Sequence, residues 1–95
     1  MRIDEMVNRQ TVEPKYDANE AEGHSFVIIT CHTRDKQGVM DLLLDAEEYK
    51  LVGDTVDCWY SLGDGPQENA DLEEIINRNI QKLADVGITC ELSYS

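Results

Sequence analysis

The sequence predicts an α+β fold in which strands and helices follow the order β-α-β-β-α-β. Residues 25–33 are rich in β-branched and aromatic side chains, which is typical of a strand. Residues 35–48 repeat apolar side chains at the i, i+3, i+4 and i+7 positions of an amphipathic helix, beginning at Val39. Gly53-Asp54 then separates two strand-like runs, as in a hairpin with a two-residue turn.

The remaining elements follow in order along the chain. The hairpin strands cover residues 49–52 and 55–62. Asn69 or Asp71 can cap a second helix. Its buried stripe is formed by Leu72, Ile76, Ile80 and Leu83. Gly87 is expected to end that helix, and residues 88–94 form the last strand. The order predicts a ferredoxin-like two-layer sandwich, with an antiparallel sheet of strand order 4-1-3-2 and both helices on one face.

The hairpin register sorts the side chains between the two faces of the sheet. A two-residue turn pairs Leu51 with Val56, and paired residues share a face, so both should point toward the helices. The same register places Lys50 opposite Asp57 on the other face. We therefore expect Leu51 to be buried and Leu51→Asp to unfold the domain.

The chain length is that of a single domain with one modest core. We expect residues 1–23 to form a flexible acidic leader and residues 24–95 to form the domain. No apolar run is long enough for a membrane span, and no signal peptide is apparent. Three cysteines without C-x-x-C spacing favour a reducing cytoplasm.

Acidic residues dominate the charge of the chain. The 95 residues include 20 acidic and 8 basic side chains, for a formal net charge of −12. Carboxylates repel the phosphates of nucleic acid, so direct nucleic-acid binding is not expected. The charge favours a basic protein surface as the partner.

Part of this charge is expected to gather at one end of the sheet. The last turn of the first helix, the end of the third strand and the start of the second helix should meet there. Acidic side chains at the end of the first helix oppose its dipole, which a purely structural role does not explain. This acidic pole is predicted from Asp45, Glu47, Glu48, Asp64, Glu68, Asp71, Glu73 and Glu74.

The sheet face away from the helices is the second candidate for partner binding. Trp59 is the sole tryptophan, and its phase places it outward beside Phe26 and Ile28. Aromatic side chains in such positions are typical interface anchors. A homodimer formed through this face is the alternative way to cover it.

The other constellations favour a structural interpretation. Cys31, Cys58 and Cys90 fall in core phase on three strands, which indicates buried thiols rather than metal ligands. His32 with Asp57 or Glu91 could imitate an acid–base pair, but no nucleophile or phosphate-binding loop accompanies it. We therefore expect neither an enzyme nor a cofactor.

One stretch resembles a known family. Residues 35–40, Asp35-Lys36-Gln37-Gly38-Val39-Met40, resemble the strand–loop–helix connection of ACT-type regulatory domains. Those domains bind amino acids near that loop, often across a dimer. The resemblance implies a small-ligand site at Asp35 and Gly38, although Gln37 stands where that family has proline.

The sequence thus predicts a small, acidic, non-enzymatic interaction protein that docks on a basic protein surface. One version is an inhibitor that imitates the charge of nucleic acid and blocks a nucleic-acid-binding protein. The alternative is an ACT-like regulatory domain that binds a small ligand as a dimer.

Overall fold

The computed structural model describes residues 14–63 and 66–95, without the side chains of residues 66–69. Within these residues the chain forms an α+β fold with one four-stranded open sheet. The elements are α1 (Ala18–Ala21), β1 (Phe26–His32), α2 (Lys36–Leu42), β2 (Glu48–Val52), β3 (Thr55–Ser61), α3 (Pro66–Asp85) and β4 (Thr89–Tyr94). The strand order is β2-β3-β1-β4 and every pairing is antiparallel, which is the predicted neighbour order read from the other edge.

The hairpin between β2 and β3 has the predicted register. Leu51 lies opposite Val56, and Lys50 lies opposite Asp57. Gly53 in the turn has a φ of +56°, a conformation that costs glycine little because it has no Cβ. The turn therefore determines which side chains of both strands face the helices.

Two longer helices, α2 and α3, cover one face of the sheet, which we call the core face. Its buried strand residues are Val27, Ile29, Cys31, Val56, Cys58 and Tyr60. They pack with the buried residues of the two helical segments, Val39, Leu43, Leu72, Ile76, Ile80 and Leu83. The predicted apolar stripe of the second helix is thus confirmed.

The helix α2 is shorter than predicted, because it ends at Leu42 instead of continuing to residue 48. The Leu43 N–H still bonds to the Val39 carbonyl, while the Leu43 carbonyl accepts a bond from the Tyr49 hydroxyl at 2.5 Å. The chain then turns into β2. A helix this short leaves the end of the edge strand uncovered, and Leu51 is 50% exposed. The prediction that Leu51 is buried is wrong.

The last helix, α3, begins at Pro66, earlier than a cap at Asn69 or Asp71 predicts, and its end before Gly87 is as predicted. Proline suits the first helical position, since an N–H there has no partner within the helix. At the other end, the N–H of Ile88 bonds to the Leu83 carbonyl at 2.9 Å and that of Gly87 to the Ala84 carbonyl at 3.0 Å. With a φ of +77° at Gly87, this is a Schellman motif.

Residues before the expected domain boundary contribute to the core. Tyr16 and Ala21 are buried within it. The N–H of Tyr16 donates to Asn77 Oδ1 at 3.2 Å, and that of Asp17 donates to the Tyr94 hydroxyl at 3.0 Å. The last part of the predicted leader therefore packs against α3 and β4, while residues 1–13 lie outside the described residues.

Across residues 14–63 and 66–95, none of the helices has the length and apolar character needed to cross a membrane.

Candidate protein-binding face

The sheet face opposite the helices, which we call the open face, is defined by the strand registers. Among the described residues, neither of the two longer helices packs on it. Its members are Phe26, Ile28, Thr30, His32, Glu48, Lys50, Val52, Thr55, Asp57, Trp59, Ser61, Thr89, Glu91 and Ser93. The predicted outward placement of Trp59, Phe26 and His32 is confirmed.

An aromatic cluster lies at one end of the open face. Trp59 and Phe26 meet edge to face, with ring centroids 5.4 Å apart. Ile28 lies directly opposite Trp59 in the ladder and is only 8% exposed, although it lies outside the main core cluster. This face therefore has a small apolar centre of its own.

A cation already lies on the tryptophan ring. The Lys50 ammonium is 3.9 Å from the ring centroid of Trp59. Ring faces attract cations through the aromatic quadrupole, by about 0.5–1 kcal/mol at exposed sites. The Trp59 indole Nε1 is buried and has no hydrogen-bond acceptor among the described residues. A movement of the indole ring that brought Nε1 to a hydrogen-bond acceptor would therefore remove the free-energy cost of this unsatisfied buried N–H.

Carboxylates surround this cluster and extend along the face. Glu48 is exposed and lies directly opposite Trp59, and Asp57 lies opposite Lys50. Glu91, further along the face, accepts a 2.5 Å hydrogen bond from His32 Nε2. The described face thus carries three carboxylates, while its basic groups are one lysine and one imidazole. This is a negatively charged setting for an aromatic anchor.

The acidic pole predicted from the sequence divides among separate surfaces. Asp45 binds Arg78 on α3, with its Oδ2 3.2 Å from Nη2. Glu47 accepts bonds from both the N–H and the hydroxyl of Ser61. Neither residue belongs to a helix, so the expected conflict with a helix dipole does not arise.

The other predicted members of the pole are placed elsewhere. Glu48 belongs to the open face, and Asp71, Glu73 and Glu74 are exposed on α3. Asp64 and the side chain of Glu68 lie outside the described residues. The described acids therefore provide charge on several surfaces. Glu48, and Glu47 through Ser61 opposite Phe26, lie next to the aromatic cluster.

Asp35 and Gly38 have a structural role at the start of α2. The Asp35 carboxylate accepts the Gly38 N–H at 3.0 Å, as an N-cap residue does. A Cβ at position 38 would lie 2.7 Å from Asp35 Cγ, so this close cap requires glycine. The stretch that resembles ACT-type domains is thus accounted for by helix capping.

Several polar groups of the core pair with one another, while Asn79 Oδ1 is buried without a hydrogen-bond partner among the described residues. Asn79 is fully buried, and its Nδ2 donates to the Tyr60 hydroxyl at 2.9 Å. Burial and the nearby Cys58 raise the pKa of Tyr60. The Cys31 thiol hydrogen-bonds to Cys58, and this bond together with burial raises its pKa. Cys31 and Cys58 are fully buried, as predicted, while Cys90 is partly buried.

A half-open groove lies where the segment around α1 passes α3. Its volume is about 530 Å³, and Tyr16, Ala21 and Leu62 contribute apolar walls. Glu73 and His24 add polar groups to its lining. The sequence did not predict this groove, since it forms only when residues 16–24 pack against the rest of the fold.

No metal site is apparent in the described part of the chain, where no group of three or more His, Cys, Asp or Glu side chains could hold a metal ion.

The sequence prediction missed Lys50 and Glu48 as parts of the aromatic site. A signal for both was present, because residues 48 and 50 share a face when the strand begins one residue earlier, at Glu48. Comparisons of the chain with protein-family models, curated proteins and solved structures find no match.

Proposed function

We propose that this chain is a non-enzymatic interaction protein that binds a basic segment of a partner protein on the open face, with Trp59 as the anchor. The observation that carries the proposal is the Lys50 ammonium on the Trp59 ring, beside Glu48. The chain's own lysine thus marks a position where a cation is accommodated.

A partner cation can replace that lysine at small cost. Lys50 is exposed, so its interaction with the ring is weak and its ammonium is readily rehydrated. An arginine offers a larger planar cation, which stacks on aromatic rings and also pairs with carboxylates in a bidentate manner. Glu48 is placed to accept that pairing while the guanidinium covers Trp59.

The charge of the whole chain supports the same class of partner. A net charge of −12 steers basic surfaces toward the protein and raises the association rate at low salt. Many basic surfaces belong to nucleic-acid-binding proteins. If the partner is such a protein, the chain would act as an inhibitor that competes with nucleic acid for the same surface.

The strand order and the placement of α2 and α3 on one face support a ferredoxin-like arrangement, with α1 as an addition. Three reduced thiols support action in a reducing cytoplasm. Both assignments are part of this proposal.

Titration with an arginine-rich peptide tests the proposal, with Trp59 fluorescence as the readout. We expect saturable binding that weakens as salt rises, and weaker binding for Glu48→Gln. Lys50→Met should bind more tightly, because the internal competitor for the ring has been removed. Glu20→Gln removes the same charge from an exposed position on α1 and serves as the matched control.

The variants distinguish specific docking from general attraction to an acidic chain. General attraction predicts equal effects of Glu48→Gln and Glu20→Gln. It also predicts a gain from Lys50→Met no larger than the loss from Glu20→Gln, since each change alters the net charge by one. That pattern would refute the proposed site. Competition by nucleic acid for a captured protein partner would identify the inhibitor version.

A further inference from the structure

Three cysteines lie side by side on the core face, and the sheet register distinguishes their possible pairings. Cys31 on β1 lies directly opposite Cys90 on β4. Cys58 on β3 lies opposite Ile29 and is therefore diagonal to Cys31. The hydrogen-bond pattern of the β1–β4 ladder determines how closely the first pair approaches.

That ladder begins with a hydrogen-bonded pair. Phe26 and Ser95 exchange both backbone bonds, each at 2.9 Å. Hydrogen-bonded and non-hydrogen-bonded pairs alternate along an antiparallel ladder. Counting from Phe26 along the uninterrupted register, the Cys31–Cys90 pair is non-hydrogen-bonded. In such pairs the Cα atoms are about 4.5 Å apart and the side chains are close.

This separation suits a disulfide, which spans Cα distances of about 4.4–6.8 Å. The diagonal pair Cys31–Cys58 is less suitable, although its thiols are close enough to hydrogen-bond. The Cα atoms of diagonal neighbours are about 7–8 Å apart, beyond what a disulfide bridges without backbone movement. Cys58 and Cys90 are separated by the whole of β1. We infer that Cys31 and Cys90 form an oxidation site, at which peroxide generates a disulfide that ties the edge strand β4 to β1.

The chemistry begins at the more accessible sulfur. Cys90 is partly exposed, whereas Cys31 is fully buried. The Cys90 sulfur attacks one oxygen of hydrogen peroxide, the O–O bond breaks, and a sulfenic acid and one water are formed. The Cys31 sulfur then attacks the Cys90 sulfur, the S–O bond breaks, and a second water leaves with the remaining thiol proton. The two sulfurs lose two electrons in total, and the peroxide gains them.

The second step should become faster as the pH rises. The hydrogen bond to Cys58 and burial both raise the pKa of Cys31, so little of it is thiolate at neutral pH. The disulfide would fix β4 to β1, and β4 also carries hydrogen bonds to other parts of the described surface. Tyr94 of β4 accepts the Asp17 N–H, and Glu91 holds His32 on the open face.

Treatment of the native full chain with hydrogen peroxide, followed by mass spectrometry, tests the inference. The three cysteines fall in three tryptic peptides, residues 16–34, 51–78 and 83–95. We expect the intact chain to lose the mass of two hydrogen atoms and peptide 16–34 to be linked to 83–95. The oxidised chain should also unfold at a higher temperature, since the closed loop restricts the unfolded state.

Cys90→Ser should abolish the link, and it changes a partly exposed position that tolerates serine. Cys58→Ala, the matched control, should retain it. A link between peptides 16–34 and 51–78, or sulfinic acid at Cys90 with no link in the parent chain, would overturn the assignment. The peptide map of the unsubstituted chain tests the Cys31–Cys90 assignment without any variant, so the test remains valid if a variant fails to fold.

Discussion

The two faces of this sheet are built from the same strands, yet they differ in what determines burial. On the core face, Ile29 is buried beneath the helices together with polar groups that bond to one another. On the open face, the adjacent Ile28 is nearly as buried, but within residues 14–63 and 66–95 its cover is a strand neighbour, Trp59, and not a helix. Burial of a strand residue is therefore decided by what crosses it, and alternation alone assigns only the face.

The largest expected effect contrasts two residues that are opposite each other on the core face. Val56→Asp should unfold the domain, because an unpaired carboxylate would be buried at a cost of at least about 3–5 kcal/mol. Leu51→Asp should cost about 1 kcal/mol, since position 51 is half exposed on an edge strand. Urea unfolding followed by circular dichroism measures both.

If Leu51→Asp proves as damaging as Val56→Asp, a segment must cover the end of β2 in solution. A variant with Leu51→Ser separates the loss of the apolar side chain from the effect of an added negative charge.

A smaller effect compares adjacent residues on opposite faces. Ile29→Ala should reduce the free energy of unfolding by about 2–5 kcal/mol, as is usual for a cavity in a closed core. Ile28→Ala should cost about 1–2 kcal/mol, because Trp59 and Phe26 can settle into the space from an open side. Chemical denaturation of both variants at several protein concentrations provides the comparison.

If Ile28→Ala and Ile29→Ala reduce the free energy of unfolding equally, and if that reduction depends on protein concentration, a second copy of the chain covers the open face. That result would favour a homodimer formed through the open face, the alternative that the sequence also allows.

The smallest effect concerns the buried tyrosine of the core face. Because burial raises the pKa of Tyr60 above its ordinary value of 10.0, the folded chain keeps a proton that the unfolded chain loses. Its contribution to stability is fully present below pH 10.0 and is lost progressively as the pH rises toward the folded pKa. Unfolding measured between neutral and strongly alkaline pH should therefore show declining stability.

Tyr60→Phe should make that alkaline decline shallower, while costing about 1–3 kcal/mol at neutral pH by leaving Asn79 without its partner. Tyr49→Phe, at a less buried tyrosine of the same face, should change the decline less. A decline that is unchanged in Tyr60→Phe would contradict the role assigned to this hydroxyl.

Local chemistry allowed much of the fold to be predicted from the sequence. A turn that needs glycine set the hairpin register, and Gly87 ended α3 because its left-handed conformation closes the cap. The end of α2 was not predictable in this way. The residues after Leu42 continue a helical apolar pattern, and a bond from the side chain of Tyr49, on the next strand, accompanies the turn that ends the helix.

The same distinction applies to the candidate site. Alternation along the strands determined by itself that Trp59, Phe26 and His32 share the outer face, because side chains of a strand point alternately to its two sides. Only the tertiary structure extended β2 to Glu48, brought the Lys50 ammonium onto the Trp59 ring, divided the acidic residues among several surfaces, and packed Tyr16 into the core. Those placements depend on where one element stops and another crosses it, which is decided by the competition of packing and hydrogen bonds across the whole fold and not by local pattern.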